Sequence, residues 1–299
     1  MRARGFFTKI GVPASALFLS AITAPVHIKS SEYPFKGGAQ VEIIASAHVT
    51  RLLDSGNHKY NDGNYKDAIF DYNKVIEIDS QNFEAHYNRG DAKSKLDNCQ
   101  GAISDYDIAI EIDPQHEDAY VSRGICKNDL GNYKESIRDM HVLIRMNPNN
   151  ATAYFVRGNS WLGREAYRLA IVDYNRAIEL NPNYADIYYN RGITKENLGN
   201  TKGAIIDFKK AIEIDPQSEK SYYIARGESM DYLGFHQAAI DDYTIGIEIN
   251  PQHADAYRVR GNAKKELEDL QGACEDWKKA AELGDEKSSK LLEEHCQWT

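Results

Sequence analysis

The side chains most able to carry chemistry in this sequence are nine histidines, four cysteines and an excess of carboxylates. The histidines stand at 27, 48, 58, 86, 116, 141, 236, 253 and 295, and no two of them share a helical i, i+4 face with a carboxylate in a metal-ligand motif. His116 and His253 occupy equivalent places before a periodic segment and read as turn residues. Cys99, Cys126, Cys274 and Cys296 are spaced 27, 148 and 22 residues apart, which fits no zinc site. A glycine-rich phosphate loop, a nucleophile elbow and a paired-cysteine zinc motif are all missing from the sequence. Adjacent acids such as Asp241 and Asp242 read as a solvated helix flank, not as an acid/base pair. The expectation is a non-enzyme with no metal and no cofactor.

The elements that would position these residues follow from a repeat. The stretch GAISDYDIAIEIDP (101–114) returns as GAIIDFKKAIEIDP (203–216). Glycines recur at 56, 90, 124, 158, 192, 227 and 261, at steps of 34 with one step of 35. Prolines keep the same phase at 114, 148, 182, 216 and 251, and the extra residue falls near Glu219 and Lys220, between repeats. With Glu117 as position 1, each repeat reads as two helices. The first runs to Leu130, Gly131 and Asn132 break it, and the second runs from about Lys134 to Met146 before Asn147 and Pro148 stop it.

Position 8 is glycine in every repeat and position 20 is alanine or serine (Ala68, Ala102, Ser136, Ala170, Ala204, Ala239, Ala273). Position 24 is large: Tyr72, Tyr106, Met140, Tyr174, Phe208, Tyr243 and Trp277. Small residues let helix axes approach, and a bulky knob at a fixed period makes each second helix a socket for the next repeat's first.

This pattern resembles the tetratricopeptide repeat (TPR) family. Carrying the resemblance are the small residues at positions 8, 20 and 27, the break near 15 and 16, the aromatics Tyr65, Tyr133 and Tyr167 at 17, and the proline at 32. It implies an all-α fold: a right-handed α-solenoid of seven helix pairs over residues 49–285, capped by a C-terminal helix over 286–299. The departures are arginine at position 7 (Arg89, Arg123, Arg157, Arg191, Arg226, Arg260), frequent lysine at position 11, and Ser80 in place of the first proline, which suggests a looser turn.

The chain has 299 residues, a formal charge of −9 and 42% hydrophobic residues, enough for a continuous core. The acidic balance, with no Lys/Arg run, excludes a phosphate backbone as partner, so no nucleic acid is expected. The first 24 residues combine Arg2, Arg4 and Lys9 with an uncharged apolar run from Ile10 to Val26, the layout of a signal peptide or membrane anchor, and residues 25–48 read as a linker. Cleavage and retention both stay open, because Pro25 and Ile22 suit a cleavage site poorly. An exported or membrane-tethered chain follows.

The resemblance further implies a concave groove lined by positions 2, 5, 6, 9, 12 and 13 of the first helices. From the second repeat on, these hold Glu84, Asp91, Asp118, Asp129, Asp186, Glu196, Glu228, Asp231, Asp255 and Glu266 against Lys95, Arg258 and Lys265. Such a face attracts a basic or polar protein segment. Tyr87, Val121, Phe155, Tyr189 and Ile224 form its apolar stripe, and Asn88, Asn159, Asn190 and Asn262 supply amides for a peptide backbone. The carboxylate clamp of some family members is missing, since Phe155, Ser221 and Ala225 stand where cations belong. The function implied is an interaction scaffold of the kind used in assembly of a larger complex; the alternatives are a targeting or regulatory subunit for an enzyme on another chain, and a bare spacer.

Two expectations concern pairing. An aspartate stands at position 23 of every repeat, and pairing each with the arginine of the following repeat, as in Asp105 with Arg123, would explain why the first repeat has Ser55 and no arginine; the alternative is a pair within one repeat, Asp105 with Arg89. A hairpin folded about residue 285 brings Cys274 opposite Cys296 for a disulfide, and Cys99 with Cys126 forms a second, less constrained pair.

Overall fold

The computed structural model describes residues 38–216 and 220–296, and every regular element among them is an α-helix. Helices α1 (Gly38–Asn61) and α2 (Tyr65–Ile78) form the first repeat, α3 (Phe83–Lys95) and α4 (Cys99–Ile112) the second, α5 (Glu117–Asp129) and α6 (Tyr133–Met146) the third. The fourth to seventh repeats are α7 (Ala151–Gly163) with α8 (Tyr167–Leu180), α9 (Ala185–Asn197) with α10 (Thr201–Ile214), α11 (Lys220–Tyr232) with α12 (His236–Ile249), and α13 (Ala254–Glu266) with α14 (Leu270–Glu282). Helix α15 (Glu286–His295) follows. The helices fall into two bodies, one through Leu130 and one from Gly131. The expected leader over 1–24, residues 25–37 of the expected linker and the insertion near Glu219 lie outside the described residues. Residues 38–48, expected as linker, are instead the first turns of α1.

Local chemistry accounts for the helix boundaries. Asn98 and Asn150 cap α4 and α7, their side chains accepting from the amides of Gly101 at 3.0 Å and Ala153 at 2.9 Å. His116 and His253 also act as caps, with Nδ1 accepting from Ala119 at 3.3 Å and Ala256 at 3.0 Å, which requires the proton to sit on Nε2. At position 15 of each repeat the chain passes through a left-handed residue. That residue is glycine at 63, 131, 199 and 234, but Asp97, Glu165 and Glu268 elsewhere, with φ of 60°, 58° and 66°. The turn at Ser80 is not looser than the others: Asn82 and Gln81 bond back to Asp79 as His116 and Gln115 bond to Asp113.

The glycine at position 8 exists for the knob at position 24. A Cβ added to Gly158 would lie 2.6 Å from the Tyr174 ring, and one on Gly192 would lie 2.5 Å from Phe208. The same knobs reach the next repeat: Ala92 completes the cluster of Ala68 and Tyr72, and Ala225 that of Ala204 and Phe208. The expected socket is therefore filled from both sides.

The position-7 arginines correct the predicted pairing. Arg191 forms a bidentate pair with Asp207 of its own repeat, at 2.8 and 2.7 Å, and Arg89, Arg157, Arg226 and Arg260 do the same with Asp105, Asp173, Asp242 and Asp276. The bond to the neighbouring repeat runs backwards, from the remaining guanidinium nitrogen: Arg191 to Asn175 at 2.7 Å, Arg89 to Asn73 at 2.7 Å, Arg260 to Thr244 at 3.1 Å. Lysine at position 11 joins the same buried aspartates, Lys195 on Asp207 at 2.7 Å and Lys93 on Asp105 at 2.8 Å. In the first repeat Ser55 and Lys59 hold Asp71 instead. Asp242, expected on a solvated flank, is one of these buried anions, whereas Asp241 is exposed. Along the first helix Arg191 precedes Lys195, yet Arg191 bonds Asp207 midway along the second helix and Lys195 bonds the carbonyl of Gly203 in its first turn. This reversed order shows α9 and α10 to be antiparallel.

Candidate functional site

Within each body the first helices of successive repeats touch one another, α1 with α3 and α3 with α5, then α7 with α9, α9 with α11 and α11 with α13. Their shared face carries the predicted groove positions. In the first body Tyr87 is half-buried, stacked on Phe83 at 5.8 Å and tilted against His116 at 5.2 Å. Val121 is half-buried as well. Asn88 donates to Asn57 at 2.9 Å, and Asn57 also accepts from the Tyr72 hydroxyl at 2.8 Å.

The second body repeats this device. Asn159 Oδ1 accepts from the Tyr174 hydroxyl at 2.8 Å and from Asn190 Nδ2 at 2.9 Å. The knob thereby orients the position-9 amide, which orients the position-6 amide of the next repeat. Among the described residues, Asn159 Nδ2 and Asn190 Oδ1 take no protein partner, so the pair presents one donor and one acceptor. Asn262 is half-engaged in the same sense, accepting from Trp277 Nε1 at 3.1 Å. Tyr189 is half-buried between Phe208 at 5.8 Å and Tyr222 at 5.1 Å.

Two members of the predicted apolar stripe are not on the surface. Phe155 is 2% exposed, packed against Tyr174 and Tyr184, and Ile224 is 7% exposed within the cluster of Tyr243 and Val259. Both point between helices, because position 5 lies at the edge of the inner face and the neighbouring first helix covers it. The structure brings Tyr87 with Asn88, and Tyr189 with Asn159 and Asn190, onto accessible faces. Phe155 and Ile224 serve the core.

The acids on these faces are electrostatically loaded. Burial raises the Asp91 carboxyl to about 6 even though Tyr106 and Tyr87 hydrogen-bond to it and Lys95 opposes the shift. Burial and the nearby charges of Asp255 and Glu196 push Glu228 up to about 7, with Arg258 working against them. Glu228 nonetheless keeps access to solvent, so water screens part of that repulsion. Neighbouring acids are held: Glu196 accepts from Ser229, Asp231 contacts His236 Nδ1 at 2.7 Å, Asp255 accepts from Arg258, and Asp186 accepts from Tyr222 at 2.5 Å. Among the described residues no three His, Cys, Asp or Glu side chains converge as a metal site. None of the described helices is long and apolar enough to cross a membrane.

Models of the TPR repeat match residues 56–97 and 164–199, and models of the tetratricopeptide repeat match 83–116, 128–177 and 185–218, together just over half of the chain. The chain belongs to the tetratricopeptide repeat family. Among solved structures, a TPR protein from Parabacteroides merdae superposes with a TM-score of 0.65 at 20% identity, covering 83% of this chain and 98% of its own. YrrB, a TPR protein with an unusual peptide-binding site, gives a TM-score of 0.53 at 20% identity over 63% of this chain and 97% of its own. A chain of the APC/C hetero-tetramer Cut9–Hcn1 gives 0.65 at 15% identity over 82% of this chain and 48% of its own. No curated protein matches. These likenesses show the TPR solenoid fold.

The TPR groove residues that sequence reasoning missed are Asn57 and the knob hydroxyls of Tyr72 and Tyr174. The signal was present as the recurrence of asparagine at position 9 beside tyrosine at position 24, but only contact between the helices shows that the two bond.

Proposed function

We propose that this TPR chain is a non-enzymatic scaffold that holds an extended, basic or polar protein segment against its first-helix face, serving assembly of a larger complex. The observation that carries this reading is the Tyr174–Asn159–Asn190 array, which fixes one amide donor and one amide acceptor beside an acidic surface. An extended backbone offers the complementary pair at each residue, and Asp186, one turn before Asn190 on α9, with Glu228 and Asp231 on α11, favours lysine or arginine side chains alongside. The Cys274–Cys296 disulfide supports the further proposal of an exported or membrane-anchored chain, since such bonds persist in oxidising compartments.

The test is fluorescence anisotropy of the full chain with labelled extended peptides differing only in lysine content. Binding that strengthens with lysine content, weakens with salt and falls at least several-fold in Asn159→Ala and Asn190→Ala supports the assignment. Equal binding of lysine-rich and glutamate-rich peptides, or intact binding by both variants, would reject it. Phe155 is unsuitable as a probe because its replacement would open the core.

A further inference from the structure

The first body holds a second pair of cysteines on neighbouring helices. Cys99 is the first residue of α4 and Cys126 lies in the third turn of α5, yet their sulfurs are 2.8 Å apart, well inside van der Waals contact. They sit in one cluster with Ala102, Ile103 and Tyr106, against which Tyr87 packs. Cys126 is fully enclosed and Cys99 is 7% exposed.

A metal does not explain this arrangement. Two thiolates sharing one zinc at about 2.3 Å each stand about 3.8 Å from one another in a tetrahedral site. Here the sulfurs are a full ångström closer, and the nearest further polar atoms, Ser94 Oγ at 3.5 Å from Cys126 and Asp129 Oδ2 at 3.8 Å from Cys99, complete no ligand set. Nor is either a lone core thiol: each sulfur's near neighbour is the other. Both thiols are free in this structure, and an approach of less than about 1 Å separates the pair from the roughly 2.05 Å of a disulfide.

We infer that Cys99 and Cys126 form a redox-controlled disulfide that ties the second helix of repeat two to the first helix of repeat three, made by exchange with an external disulfide such as oxidised glutathione. The Cys99 thiolate, the more accessible sulfur, attacks the external disulfide R–S–S–R, forming a mixed disulfide and releasing R–S⁻. The Cys126 thiolate then attacks Cys99 Sγ, forming the Cys99–Cys126 bond and releasing the second R–S⁻. The two protein thiols are oxidised by two electrons, the external disulfide is reduced, and the two thiol protons leave with the two R–SH products. The bond joins residues 27 apart in sequence, so it withdraws a closed loop from the unfolded ensemble and pins the junction beneath Tyr87.

The experiment uses the full chain, reduced and then incubated with oxidised glutathione, followed by alkylation and non-reducing peptide mapping by mass spectrometry. The expected product is a joined peptide pair containing Cys99 and Cys126, two hydrogens lighter than the dithiol, with helicity retained and a melting temperature raised by several degrees. Alkylated or separately glutathionylated Cys99 and Cys126, in a sample where Cys274 and Cys296 are joined, would overturn the inference. In Cys126→Ser the Cys99 mixed disulfide should accumulate, whereas in Cys99→Ser Cys126 should stay unmodified. The reverse pattern would overturn the assignment of Cys99 as the entry sulfur.

Discussion

The ring of Tyr174 fills the space that Gly158 leaves, and its hydroxyl orients Asn159. Separating these roles gives a direct test at the residue scale. Tyr174→Phe keeps the packing and removes one hydrogen bond, so stability should fall by about 1 kcal/mol in urea titration while affinity for a lysine-rich peptide drops. Gly158→Ala instead forces a Cβ against the ring and should cost about 1–3 kcal/mol despite alanine's better helix propensity. Glu228 provides a pH test. Its folded carboxyl titrates near 7 because of burial and of repulsion from Asp255 and Glu196, above its ordinary 4.5, so between those values the folded chain binds more protons than the unfolded one. Its contribution to stability therefore declines as pH rises through that window, and Glu228→Gln should flatten the decline; a steeper decline in the variant would contradict the sign. The glycine at 158 and the knob at 174 were legible in the sequence because steric size at a fixed period is a property of residue type. The depth of Phe155 and Ile224 was not, since position 5 lies where a neighbouring helix decides between surface and core.

At the scale of the element, the turn at position 15 demands a left-handed residue, and Glu165 occupies it at φ 58°. Glycine adopts that conformation without a Cβ clash, so Glu165→Gly should stabilise the chain by roughly 0.5–1 kcal/mol after the added freedom of the unfolded chain is subtracted. A midpoint unchanged or lowered in chemical denaturation would refute this. The arginine network makes a second prediction. A double-mutant cycle on Arg191 and Asp207 should show coupling of about 2–3 kcal/mol, because the carboxylate is buried under a bidentate pair, whereas the more exposed bond from Arg191 to Asn175 should couple by less than about 1 kcal/mol. The sequence could not choose this register: the aspartate at position 23 stands 16 residues after its own repeat's arginine and 18 before the next, and both separations suit helices in contact. The start of α1 was hidden for a different reason. Residues 38–48 carry none of the size pattern that sets the phase, so the helix there is visible only in its backbone.

For the whole molecule, the 34-residue period made the helix pairs and the terminal cap readable, because a repeat too small to bury its own apolar face must stack and must end on a polar surface. That logic also predicts how the far end responds to reduction. Cys274 on α14 and Cys296 just beyond α15 are bonded, with Cα atoms 5.9 Å apart, as the hairpin about residue 285 predicted. Helix α15 starts from an Asp285 cap that accepts from Ser288 at 2.9 Å, and His295 lies 5.7 Å from the ring of Trp277, which is fully buried. A ten-residue helix is too short to persist without tertiary support, so its docking depends on that packing and on the covalent tie. Closing a 22-residue span contributes about 3 kcal/mol in the chain-entropy account, and in a stacked array such a term acts mainly on the repeat it touches. Reducing Cys274–Cys296 should therefore speed amide hydrogen exchange across α14 and α15 and shift Trp277 fluorescence towards the red, while α9 and α10 keep their protection. If exchange rises equally in α9 and α10, the bond stabilises the second body as one cooperative unit, and the view of α15 as a local cap fails.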